Sequence, residues 1–116
     1  MNEKNKYEAF KDSCRTYLRE KAMLAKMNPN TEDPLLKTRY RFLKEDVAYT
    51  EKMLDKLEEK CGTNARLMVY ELLIENRTQT QVAKDYQITR RQVQYSLEKW
   101  MDAILKDEEA HQEEKE

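Results

Sequence analysis

The chain has 116 residues, of which 39% are charged; it holds one glycine and two prolines, and its formal net charge is −1. That profile fits a single all-helical domain, or a small domain with an extension, and excludes Gly-rich phosphate loops. No apolar run reaches the roughly 18 residues of a membrane span, and residues 1–6 lead into an amphipathic pattern rather than an apolar signal core, so a cytoplasmic protein is expected. Cys14 and Cys61 form neither a CxxC nor a disulfide framework and read as reduced thiols.

Residues 3–27 read as a helix. Tyr7, Phe10, Cys14, Tyr17 and Leu24 fall on heptad seam positions, Lys21 interrupts them, and Leu18 and Ala25 widen the face. This is a core-facing or coiled-coil pattern rather than a ligand site. Residues 28–34 break it, because Pro29 disfavours helical geometry at Asn28. Asp33 as N-cap and Pro34 at the first position then start a second helix, which runs to about Cys61. Its stripe, Leu36, Tyr40, Leu43, Val47, Thr50, Leu54 and Leu57, alternates steps of four and three, the repeat of a coiled-coil seam. Gly62 stands where a left-handed C-terminal cap is needed.

The short connection predicts an antiparallel hairpin over residues 1–62. Its seams can be covered by each other, by the C-terminal helices or by a second protomer. A bare hairpin leaves Phe42 and Met53 partly uncovered. A homodimer through this arm is therefore expected, with Leu36, Tyr40, Leu43, Val47, Leu54 and Leu57 as its interface.

Asn64 can cap a helix over residues 65–76, and Leu67, Val69, Tyr70, Leu72, Leu73 and Ile74 cover most of its circumference, as in the central helix of a small bundle. Thr80 can cap the next helix, whose apolar face is Val82, Ala83 and Tyr86. Gln87 and Ile88 make a turn, with Ile88 as its buried pivot. Thr89 caps the last helix, where Val93, Leu97, Trp100 and Ile104 form one buried stripe. Small Ala83 lets two helices cross closely. The fold expected is all-α: a long N-terminal helical hairpin, coiled-coil-like, followed by a three-helix helix-turn-helix unit at 63–106. Residues 107–116 read as an acidic disordered tail, with a DNA-mimicking competitor for the basic face as the sharper reading.

The charge is unevenly placed. Residues 107–116 carry six acids and one lysine, whereas 77–106 carry six bases against three acids and 1–28 seven bases against four acids. The near-neutral total hides a basic working end.

Catalysis has little to work with. The single histidine, His111, lies in the acidic tail, so a His-based triad or a multi-histidine metal site is not expected, nor is any cofactor. The carboxylates pair with Lys or Arg at helical spacing, as on a solvated surface. Binding fares better. Opposite the buried stripe of the last helix lie Arg90, Arg91, Gln94 and Tyr95, with Gln92 at the edge. Arg reads guanine O6 and N7, Gln reads adenine N6 and N7, and Tyr95 could meet a thymine methyl or a phosphate. Thr80 and Thr89 at helix starts suit phosphates, as do Lys84, Arg77 and Lys99. The alternative for Arg90 and Arg91 is two exposed charges on an ordinary bundle helix.

The run Val82-Ala83-Lys84-Asp85-Tyr86-Gln87-Ile88-Thr89-Arg90-Arg91-Gln92-Val93 resembles the promoter −35-reading helix-turn-helix, region four, of bacterial sigma factors. The similar part, residues 67–104, is about a third of the chain. Small phage and mobile-element transcription regulators share this layout. The resemblance implies base contacts from Arg90, Arg91 and Gln94 and phosphate contacts from Thr80, Thr89 and Lys84; double-stranded DNA is the expected partner, with RNA polymerase as the partner in an adaptor role. The chain departs from the pattern at Gln87, where a small residue is usual, and at Ser96, a slot often apolar. At this length no promoter-melting region is expected, hence no complete sigma factor. Helix-turn-helix units of transposases and small terminase subunits look similar over the same stretch. Three roles remain open at this level: a sequence-specific transcription regulator, a polymerase or assembly adaptor acting through the arm, and a DNA-packaging recognition subunit.

Overall fold

The computed structural model describes the backbone of residues 3–114 and the side chains of residues 5–106. Among the described residues there are helices and turns and no strand. The order is α1 (Glu3–Lys26), α2 (Pro34–Cys61), α3 (Thr63–Val69), a π-helical segment (Tyr70–Ile74), α4 (Gln79–Tyr86) and α5 (Arg90–Glu114). The expected acidic tail, 107–116, falls on residues whose side chains lie outside the described set.

The hairpin forms as the sequence implies. Asn28 Oδ1 accepts the Asn30 N–H at 2.9 Å, and Thr31 Oγ1 accepts the Asp33 N–H at 3.3 Å, so short polar side chains hold the connection. Asp33 then caps α2, its carboxylate accepting the Leu35 N–H at 3.0 Å, with Pro34 at the first helical position. The two helices pack along each other. Their join is tightened where the Tyr17 hydroxyl donates to Glu51 at 2.9 Å and Lys21 donates to Tyr17 at 3.3 Å.

One apolar core runs through the molecule, drawing Phe10, Cys14 and Tyr17 from α1 together with Val47, Met53, Leu54 and Leu57 from α2 and Val69, Ile74, Val82, Val93, Leu97 and Ile104 beyond. The seam of α2 is therefore covered from within the chain over its C-terminal half. Leu36 stays exposed, Tyr40 and Leu43 are half-buried, and Val47, Thr50, Leu54 and Leu57 are buried. This corrects the interface expected from the sequence: Val47, Leu54 and Leu57 are intramolecular core, and Met53 is buried rather than uncovered. Leu18 and Ala25 of α1 face solvent, and Glu20 is buried in their place.

The middle of the chain departs furthest from its reading. Gly62 ends α2 with φ 98° and ψ 170°, a positive φ outside the left-handed helical basin, and its N–H still reaches Glu58 O at 2.9 Å. The next helix begins at Thr63 without an Asn64 cap. Instead Arg66 bonds to Asp55 at 2.6 Å and Glu58 at 2.8 Å, tying α3 back to the end of α2. After Val69 the helix widens, and Glu75 N donates to Tyr70 O at 3.0 Å in a five-residue step. In a regular α-helix, residues two apart lie on nearly opposite sides. The extra residue in the π turn shifts the buried face by one position, so that Ile74 follows Val69 at a spacing of five where a regular helix would bury Leu73. Leu67 remains exposed, so this helix is not apolar on every side. Asn76, at φ 59°, terminates the segment in the left-handed region that Asn tolerates.

Candidate nucleic-acid interface

The face opposite the core on α4 and α5 is built from two repeated devices. Thr78 Oγ1 accepts the Gln81 N–H at 3.1 Å while Gln81 Oε1 accepts the Thr78 N–H at 3.0 Å. Thr89 and Gln92 repeat the pattern at 3.0 and 2.8 Å. Both are Thr-x-x-Gln capping boxes. Thr78, not Thr80, starts α4; Thr80 sits exposed inside its first turn. Thr89 caps α5 as expected. Its oxygen accepts in that bond, which leaves the hydroxyl proton to donate outward.

Between the helices, Gln87 takes φ 57° and ψ 42°, a left-handed conformation that a non-glycine residue adopts at a cost of about 1–2 kcal/mol. Ile88 packs partly buried against the core, and its N–H bonds Ala83 O at 3.0 Å. Val82 and Ala83 are buried beneath the turn, as are Val93, Leu97 and Ile104 along α5, and Trp100 is half-buried. These contacts fix how α5 leaves the turn and which face it gives to solvent.

That face is an open trough of about 610 Å³ lined by Gln79, Arg90, Arg91, Gln94, Tyr95 and Glu98. The four residues expected to touch bases, Arg90, Arg91, Gln94 and Tyr95, thus share one surface. Both arginines are exposed, Gln94 is half-buried, and Tyr95 is 67% exposed. Gln79 and Glu98, which the sequence reading passed over, join them. Gln79 Nε2 donates to Gln94 Oε1, and Gln94 Nε2 donates to Glu98 Oε1 at 2.8 Å.

The expected phosphate contacts divide. Lys84 is exposed on α4, and Lys99 is exposed on α5 outside the trough lining. Arg77 has a different task. It bonds Asp85 of α4 and, at 3.2 Å, Glu71 of the π segment. The hydrogen bond to Asp85 is the leading cause that raises its pKa. The guanidinium clamps α4 to the preceding helix and is committed there. Tyr86 donates weakly to Glu71 at 3.5 Å, and burial, ahead of the Glu71 charge, raises its phenol pKa.

Among the described residues no group of His, Cys, Asp and Glu is placed to hold a metal ion, and no helix is long and apolar enough to cross a membrane. Comparison with protein families, with curated proteins and with solved structures found no match.

Proposed function

We propose that this chain is a sequence-specific duplex-DNA-binding transcription regulator of the bacterial or phage type, with the first turns of α5 in the major groove. The observation that carries the reading is the trough. Two exposed arginines, a glutamine and an exposed tyrosine converge on one face of α5, while its opposite face is locked into the core. The major groove of B-DNA admits a helix, and these side-chain types match the donor and acceptor patterns of base edges there. Lys84 and the two capped helix starts lie on the same pair of helices and suit flanking phosphates. The sigma-like run over 82–93 supports the same docking.

The test is protection of guanine N7 from dimethyl sulfate in a duplex selected by the protein. Wild type should shield guanines in the major groove, and Arg90→Ala should lose part of that footprint. Binding that leaves every N7 reactive contradicts the groove assignment.

A second reading, an adaptor that engages RNA polymerase or another assembly through the arm, draws on the hairpin tip. Leu35 is 82% and Phe42 57% exposed there, more than an isolated hairpin needs to show to water. Loss of partner capture by Leu35→Ser/Phe42→Ser, with DNA binding intact, would favour it.

A further inference from the structure

Resting on the DNA reading, we propose that Gln94 selects adenine at one position of the target, and that Gln79 and Glu98 are the positioning residues that set this choice. Glu98 fixes which way the Gln94 amide faces. An ionised carboxylate only accepts hydrogen bonds, so the end of the Gln94 amide that faces it must be the nitrogen. The carbonyl end then points to Gln79, which meets it with its own amide nitrogen. A glutamine amide by itself can turn over and exchange donor for acceptor. Here a charge at one end and a donor at the other hold it one way round.

Each amide atom keeps half its capacity. Gln94 Oε1 has a second lone pair and Nε2 a second proton, and Gln94 lines the trough. Adenine offers the complementary pair, an N6 donor beside the N7 acceptor. Guanine offers two acceptors, cytosine a donor, and thymine an acceptor beside a methyl group. Only adenine takes both Gln94 bonds at once. The two supports come from different places: Glu98 lies one turn along α5, while Gln79 is the first residue of α4, seated by the Thr78–Gln81 capping box. Base choice therefore depends on how α4 and α5 are set against each other, not on α5 alone.

The experiment selects a preferred site from randomised duplexes with the wild-type protein. It then measures affinity by fluorescence anisotropy for that site, for its adenine-to-guanine variants, for duplexes carrying adenine with carbon in place of N7, and for random duplex. The proteins are wild type, Gln94→Ala, Gln79→Ala and the isosteric Glu98→Gln. Wild type should prefer adenine over guanine at one position on the order of tenfold, and should lose that preference with the analogue. All three variants should flatten that one position, and none should lose as much affinity for random duplex as for the selected site. Glu98→Gln should bind random duplex slightly more tightly, because a negative charge has left the interface. A merely structural role for Glu98 or Gln79 would lower all affinities together.

Adenine preference that survives in Glu98→Gln and Gln79→Ala overturns the assignment, as does a wild-type site with no adenine dependence. Wild type that binds no duplex at low salt fails the DNA reading itself, and the assignment with it. Circular-dichroism melting of each variant separates loss of fold from loss of choice.

Discussion

Two threonines compete for the start of α4, and the side chain three residues further on decides between them. Thr78 has Gln81 at that position to return its bond; Thr80 has buried Ala83, which returns nothing. Thr78→Ala should cost about 1 kcal/mol, and Thr80→Ala much less, measured by urea unfolding. Equal losses would put the cap elsewhere. The sequence carries the signal as two Thr-x-x-Gln runs, and the one at Thr89 stands next to an apolar stripe that marks its helix start. Every residue of 78–81 is polar, so hydrophobic periodicity gives no edge there and does not separate Thr78 from Thr80. Cys14 supplies a pH test. Burial pushes its thiol from 9.0 up to about 12. The unfolded chain releases this proton near the lower value and the folded chain holds it. The contribution is therefore complete below pH about 9 and is lost as pH climbs toward 12, at up to about 1.4 kcal/mol per pH unit. Denaturant unfolding followed from neutral to mildly alkaline pH should show that decline in wild type and a shallower one in Cys14→Ala. The tyrosines raised by burial, Tyr7, Tyr17 and Tyr86, add to it only at higher pH.

At the scale of the element, α2 shows what periodicity conveys and what it does not. The stripe from Leu36 to Leu57 was readable as a seam, but its partner was not, because a heptad repeat looks the same against a sister helix, a third helix or a second protomer. In the fold, α1, α3 and α5 all pack against α2. Leu57→Ala should cost about 2–5 kcal/mol as a cavity in a filled core. Leu35→Ser, at the exposed tip, should stay within about 0.5 kcal/mol of wild type. A large loss at Leu35 in dilute monomer would mean that the tip is buried. The stretch from Gly62 to Ile74 was the least legible. Its continuous apolar run fits several helical registers, and the π turn that reconciles them depends on what lies against it, which is a tertiary fact. The trough was half legible. Helical spacing brings Arg90, Arg91, Gln94 and Tyr95 to one side, but Gln79 reaches them from another helix, and no spacing along α5 could name it.

For the whole molecule, the net charge of −1 and the basic, solvent-facing end of α5 describe the same chain. One core joins hairpin and C-terminal helices, so the hairpin base serves as a scaffold for the trough, and the tip with Leu35 and Phe42 is what remains for a second protomer. In the dimer expected from the sequence, two copies of α5 would meet the same face of DNA about 34 Å apart or at a multiple of that spacing. Sedimentation equilibrium should show a dimer that Leu35→Ser/Phe42→Ser disrupts; a monomer at high concentration contradicts this arrangement without touching the trough. The proposed function requires that α5 lie on duplex DNA. It is tested most directly by fluorescence anisotropy on random-sequence duplex across a salt series, comparing wild type with Arg90→Ala/Arg91→Ala. Wild type should bind at low salt, with log K falling against log salt by about 0.9 for each phosphate neutralised, and the double variant should lose affinity or slope. Wild type that fails to bind at low salt, or that binds no differently from the double variant, contradicts the claim.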